Sequence, residues 1–181
     1  MKKMISLLLL LALACSLVAC GGTPDGAPEG YKLASNSEAC SYSLYVPEAW
    51  TSESGKSDYT MAKISSLDPC SVSLAVLDGV YAGSMADYWS SVKGSYHFLT
   101  EMNVTEERAQ ATVGSGESLR QGYRYVFTGK YGDTVYRYMQ IFFTKGGLDA
   151  NLYCFTYTAL DEHYDAHLEV VQTILQSFKF N

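Results

Sequence analysis

His163 and His167 stand four residues apart in the run Asp161-Glu-His-Tyr-Asp-Ala-His-Leu-Glu169. On an α-helix that spacing stacks two imidazoles one turn apart, and with carboxylates alongside it is an arrangement that divalent metals accept. Two imidazoles do not make a tetrahedral set, and no third or fourth ligand is evident beside them. Both rings also flank an apolar stripe, and acidic residues in a first turn are what the helix dipole favours in any case. The two histidines therefore stand as candidates without a complete ligand set, and neither a metal nor a cofactor is assigned.

A second group is cationic. Arg120, Arg124 and Lys130 share one parity along a strand-like run and Arg137 lies in the next run, beside Tyr123, Tyr125, Tyr136 and Tyr138. A basic stripe of this kind suits an anionic ligand or an acidic partner. The competing reading pairs each cation with a carboxylate on a neighbouring strand, where it contributes little. The sequence contains no Gly-x-Ser-x-Gly elbow, no His-Glu-x-x-His and no Gly-rich phosphate loop, so no catalytic residue is assigned.

The five cysteines divide by position. Cys20 closes Leu17-Val-Ala-Cys20, at the end of an apolar run that follows Lys2 and Lys3. The run from Met4 to Ala19 is shorter than the roughly 20 residues that span a bilayer, and it resembles a bacterial lipoprotein signal. That resemblance implies cleavage before Cys20 and diacylglyceryl attachment to its thiol, a membrane anchor of two acyl chains. Cys15 leaves with the signal. Cys40, Cys70 and Cys154 then face an oxidising exterior, where disulfides persist. Cys40 and Cys70 each open a strand-like run, so a Cys40–Cys70 bridge is expected, and Cys154, inside an aromatic run, reads as a small buried hydrophobe.

Charge and size narrow the classes. The formal net charge is −6, and loss of Lys2 and Lys3 makes the remainder more acidic, which argues against nucleic-acid binding. Residues 1–19 read as the removed signal and 20–30, rich in Gly and Pro, as a flexible tether. Residues 31–181 are of a length for one domain. Fifteen tyrosines admit a glycan-binding reading, although strand alternation places many of them toward buried faces.

From Tyr31 onward the pattern is mostly of period two, which predicts strands at about 31–35, 41–46, 59–66, 71–78, 103–113, 118–130, 133–145 and 150–159. Gly132-Asp133 predicts a hairpin turn, and 145–149 a second one. Met85, Tyr88, Trp89 and Val92 recur at helical spacing over 84–93. A second helix is predicted from Asp161 to about Ser177, its stripe formed by Tyr164, Leu168, Val171, Ile174, Leu175 and Phe178.

Three segments carry a resemblance to a known group. They are Tyr42-Ser-Leu-Tyr-Val-Pro-Glu-Ala-Trp50, Tyr153-Cys-Phe-Thr-Tyr-Thr-Ala159 running directly into the last helix, and the helix end Ile174-Leu-Gln-Ser-Phe-Lys179. In these and in element order the chain resembles the PsbP-like fold family, which includes the extrinsic photosystem II protein, the nuclear transport factor Mog and many bacterial lipoproteins. The resemblance implies an α+β fold, an antiparallel sheet flanked by helices on both faces in an α/β/α sandwich. It also implies non-enzymatic accessory or docking work. The expectation is a lipid-anchored extracytoplasmic binding module on the bacterial cell membrane, with an envelope or membrane protein as partner. The alternative is a carrier or receptor for a small ligand, glycan or divalent metal. A deep polar-lined pocket favours the carrier, and a flat or apolar patch favours docking.

Overall fold

The computed structural model describes residues 26–55, 58–77, 85–146 and 149–181. The apolar run, Cys20 and residues 21–25 lie outside the described residues, as do Ser84 and the Gly147-Leu148 pair of the second predicted turn. Among the described residues the strands are β1 (Tyr31–Leu33), β2 (Tyr42–Ser43), β3 (Tyr45–Pro47), β4 (Thr51–Ser54), β5 (Tyr59–Lys63) and β6 (Ser71–Leu77). Helix α1 (Met85–Lys93) follows, then β7 (Thr100–Val113), β8 (Arg120–Tyr131), β9 (Thr134–Gly146), β10 (Asp149–Leu160), α2 (Leu168–Ser177) and β11 (Lys179–Phe180).

Seven strands form one sheet in the order β4-β5-β6-β10-β9-β8-β7, with every neighbouring pair antiparallel. The β8–β9 hairpin turns at Gly132-Asp133, between the paired residues Tyr131 and Thr134. Gly132 has φ of 61° and Asp133 is not among the positive-φ residues, the pattern of a type II′ turn.

Residues Met139 to Phe143 of β9 are all buried, without alternation. A strand buried on successive residues must be covered on both faces. On one face Ile141, Phe143, Tyr153, Phe155 and Tyr157 meet Val171, Ile174 and Leu175 of α2, with Phe178 and the Tyr42–Val46 segment. On the other, Trp89 of α1 packs among Tyr125, Phe127, Phe142 and Leu152, stacking on Tyr125 at 4.6 Å between ring centres. The molecule is thus a mixed α+β sandwich with a helix on each face.

Three departures from the sequence reading have physical causes. Strand β4 gave no period-two signal because all four of its residues are exposed, as befits a polar edge strand. Part of the segment read as tether packs on the body: Ala27 is buried, Glu48 N–H donates to Gly30 O at 2.9 Å, and Lys179 Nζ donates to Gly26 O at 3.3 Å. The last helix starts at Leu168 rather than Asp161, after 3₁₀ turns at Asp161–His163 and Asp165–His167. Tyr157 Oη donates to the Tyr164 carbonyl at 2.9 Å, occupying the acceptor that an α-helix would offer to the Leu168 N–H.

Candidate functional site

A cleft lies beneath one side of α2. In register across the sheet, Phe143 pairs with Gly122 and Gly122 pairs with the small Ala111, which lines the cleft. A Cβ at position 122 would lie 2.5 Å from the Phe142 carbonyl oxygen, a distance that excludes any larger residue there. Where β9 and β10 fill the space under the helix, β7 and β8 leave about 670 Å³ open. The floor is apolar, from Val126, Met139, Ile141 and Leu175, and the walls carry the exposed glutamines 110, 121, 172 and 176.

Glu106 and Arg124 form the charged centre of this cleft, with Arg124 Nη2 donating to Glu106 Oε2 at 3.0 Å. The hydrogen bond to Glu106 raises the Arg124 pKa further above its ordinary value, against a smaller opposing effect of burial. The pair is bidentate, so each group's hydrogen-bonding atoms are turned toward the other. Around it the glutamine amides present donors and acceptors without net charge. The arrangement suits an uncharged polar chain or ligand lying on an apolar floor.

The cations of the candidate basic stripe are engaged within the chain. Arg120 turns onto backbone carbonyls, with Nε donating to Lys145 O at 2.6 Å and Nη1 to Glu117 O and Leu119 O at 2.8 Å. Arg137 is 2.7 Å from Asp161 and Lys130 is 2.6 Å from Glu101. Only Arg124 of the stripe lines the cleft. The competing reading, cations met by carboxylates within the chain, describes Arg124, Lys130 and Arg137. Glu106, which completes the cleft, carried no recognisable motif in the sequence, and Tyr164 stood there only as part of the apolar stripe of the last helix.

The Cys40–Cys70 bridge is also absent, and both thiols are free and buried. Cys40 Sγ lies against Thr60 Oγ1 at 4.0 Å, and Thr60 pairs with Leu74, four residues along β6 from Cys70. At about 3.3 Å per residue that offset spans about 13 Å along the strand, and the register of β5 on β6 holds the two cysteines apart. Cys154 is free as well, its thiol pushed up to about 11 by burial, in keeping with an inert hydrophobe.

His163 and His167 are not stacked on one α-helix, since each belongs to a separate 3₁₀ turn. Both instead approach Asp68, in the loop between β5 and β6: His163 Nδ1 is 3.9 Å and His167 Nε2 3.3 Å from Asp68 Oδ2. Asp68 Oδ1 accepts the Cys70 N–H at 3.0 Å, which fixes the carboxylate and leaves Oδ2 toward the histidines. Burial, with the adjoining Asp68, pushes the Cys70 thiol up to about 12.

No family model matches the sequence, and no curated protein matches it. Solved structures do. LpqN of Mycobacterium tuberculosis, described as involved in cell envelope biogenesis, superposes with a TM-score of 0.58 at 15% identity, over 83% of this chain and 90% of its own. The cyanobacterial PsbP of Synechocystis sp. PCC 6803 superposes at 0.50 and 12% identity, over 92% of this chain and 99% of its own. The fold is PsbP-like. A Pseudomonas aeruginosa protein of unknown function shares the architecture at a TM-score of 0.51 and 14% identity, covering 81% of this chain and 94% of its own. At such identities the likeness is one of fold, and the site of this PsbP-like chain is argued from its own residues. No helix among its described residues is long and apolar enough to cross a membrane.

Proposed function

We propose that this PsbP-like protein is a lipid-anchored, extracytoplasmic accessory module that acts by binding, holding its envelope partner in the cleft between α2 and the β7–β8 side of the sheet. The observation that carries the reading is the apolar floor of the cleft, Val126, Met139, Ile141 and Leu175, beside a self-neutralised Glu106–Arg124 pair. Its charged groups are already matched to each other, so the site favours recognition over acid–base chemistry. The Leu17-Val-Ala-Cys20 signal supports the anchor at Cys20. LpqN, with the same fold, is described as involved in cell envelope biogenesis, which supports the envelope setting.

A second reading, a carrier for a small uncharged polar ligand, is favoured by the volume: about 670 Å³ falls within the roughly 300–1,000 Å³ of small-molecule sites. A photo-crosslinking residue at Gln172, with a control at exposed Ser91 on α1, separates the two in intact cells. The docking reading expects a discrete adduct from position 172 alone, lost in Cys20→Ser. Equal labelling from both positions, or none, together with unchanged fractionation of Cys20→Ser, overturns it. No adduct but a thermal shift with small glycans or amides selects the carrier.

A further inference from the structure

Away from the cleft, the loop before β6 and the turns before α2 bring together side chains of three metal-ligating types. The carboxylate of Asp68, the thiol of Cys70 and an imidazole nitrogen of His163 all lie within 4.8 Å of one another. His167 Nε2 approaches the same Asp68 oxygen, at 3.3 Å. We propose that Asp68, Cys70 and His163, with His167 closing the fourth position, form a binding site for a single Zn²⁺-type divalent ion.

The geometry is close to what such an ion demands. Tetrahedral bonds of about 2.0–2.3 Å to oxygen, nitrogen and sulfur set ligand-to-ligand edges of roughly 3.3–3.8 Å. The 3.3 Å separation of His167 from Asp68 Oδ2 already has that length, and the 3.9 Å separation of His163 is slightly longer. Cys70 is fully buried and the site lies at the end of the core, whereas His163 is half-exposed, leaving one side open for entry and one ring able to swing inward. Asp68 is oriented by the Cys70 N–H on its other oxygen, the supporting hydrogen bond that ligating carboxylates characteristically accept. A thiolate with imidazole selects Zn²⁺ over Mg²⁺ or Ca²⁺, which prefer oxygen alone.

Binding involves no redox change. The Cys70 S–H bond breaks, its proton passes to solvent, and the sulfur lone pair forms the S–Zn bond. The ion would fasten the β5–β6 loop to the two turns ahead of α2 and so hold Tyr164 and Leu168, which line the cleft. The inference does not depend on the proposed docking role.

Cobalt(II) titration of the reduced, metal-free protein tests it. The expected result is one equivalent bound with a near-ultraviolet thiolate-to-cobalt charge-transfer band, displaced by Zn²⁺. Cys70→Ser should abolish the band and His163→Gln should weaken binding about tenfold or more. Cys154→Ser and His97→Gln, at a thiol and an imidazole outside the cluster, should leave both unchanged. Absence of the band in the wild type, its loss in Cys154→Ser, or wild-type affinity in His163→Gln overturns the site. Should Cys70→Ser fail to fold, the half-exposed His163 variant and the wild-type band decide.

Discussion

Arg137 Nε donates to Asp161 Oδ1 at 2.7 Å and so pins the first turn after β10 to the neighbouring strand β9. The same guanidinium lies 5.0 Å above the Tyr164 ring, a cation–π contact that holds one wall of the cleft. A candidate for partner binding in the sequence is thus tied to a carboxylate and a ring of its own chain.

Removing that tie should show in stability and in the cleft together. A double-mutant cycle of Arg137→Ala and Asp161→Ala is expected to give a coupling of about 0.5–1 kcal/mol, the range for a partly exposed pair. Urea unfolding of the four proteins measures it. A coupling of zero would mean the contact is incidental.

The two faces of the sheet can be tested separately. Trp89→Ala removes the centre of the α1 face, and Phe178→Ala does the same opposite, where its ring contacts Tyr42, Phe143 and Phe180. Each should cost roughly 3–5 kcal/mol as a buried large-to-small change, and Trp50→Ala, also buried, should fall in the same range. With about 2–4 °C of Tm lost per kcal/mol, thermal melts resolve all three.

Thiol chemistry distinguishes free cysteines from a bridge. Denatured without reductant, the protein should take up alkylating reagent at Cys40, Cys70 and Cys154, and peptide mass spectrometry should find no Cys40–Cys70 crosslink. In the native state the burial of Cys40 and Cys70 should slow the same reaction strongly. Recovery of the crosslinked peptide from freshly purified protein would contradict the placement of these strands.

Alkaline pH should unfold the protein through its buried tyrosines. Burial pushes the Tyr96 and Tyr164 hydroxyls up to about 12 from 10.0; Gln140 beside Tyr96, and Arg124 and Arg137 beside Tyr164, oppose the shift. Because the folded pKa is the higher, the stability contributed is complete below pH 10 and is lost as the pH rises toward 12. Tyrosinate absorbance followed with circular dichroism should show a late class of tyrosines ionising together with loss of structure. Smooth titration of all fifteen near pH 10 with the fold intact would refute it.

Much of the scaffold was legible because its signals are local. Alternation in Tyr123–Lys130 and Tyr153–Ala159, the Gly132-Asp133 turn and the Met85–Val92 stripe each depend on a few neighbouring residues, and each became the expected element. Where the local signal was weak or overridden, the reading slipped. Polar β4 has no apolar face to reveal it, and the predicted helix start at Asp161 yielded to a hydrogen bond from Tyr157, on a different element.

The sequence by itself determined most of the strand and helix repertoire, the acidic balance, and the presence of a candidate signal ending at Cys20. Tertiary structure alone decided which polar groups meet. It set Arg124 against Glu106 across β7 and β8, separated Cys40 from Cys70 by the register of β5 on β6, and brought Asp68 and Cys70 to His163 and His167. The reason is physical: periodicity records which face of an element is apolar, but strand order and register, fixed by packing of the whole core, determine which distant side chains share a site.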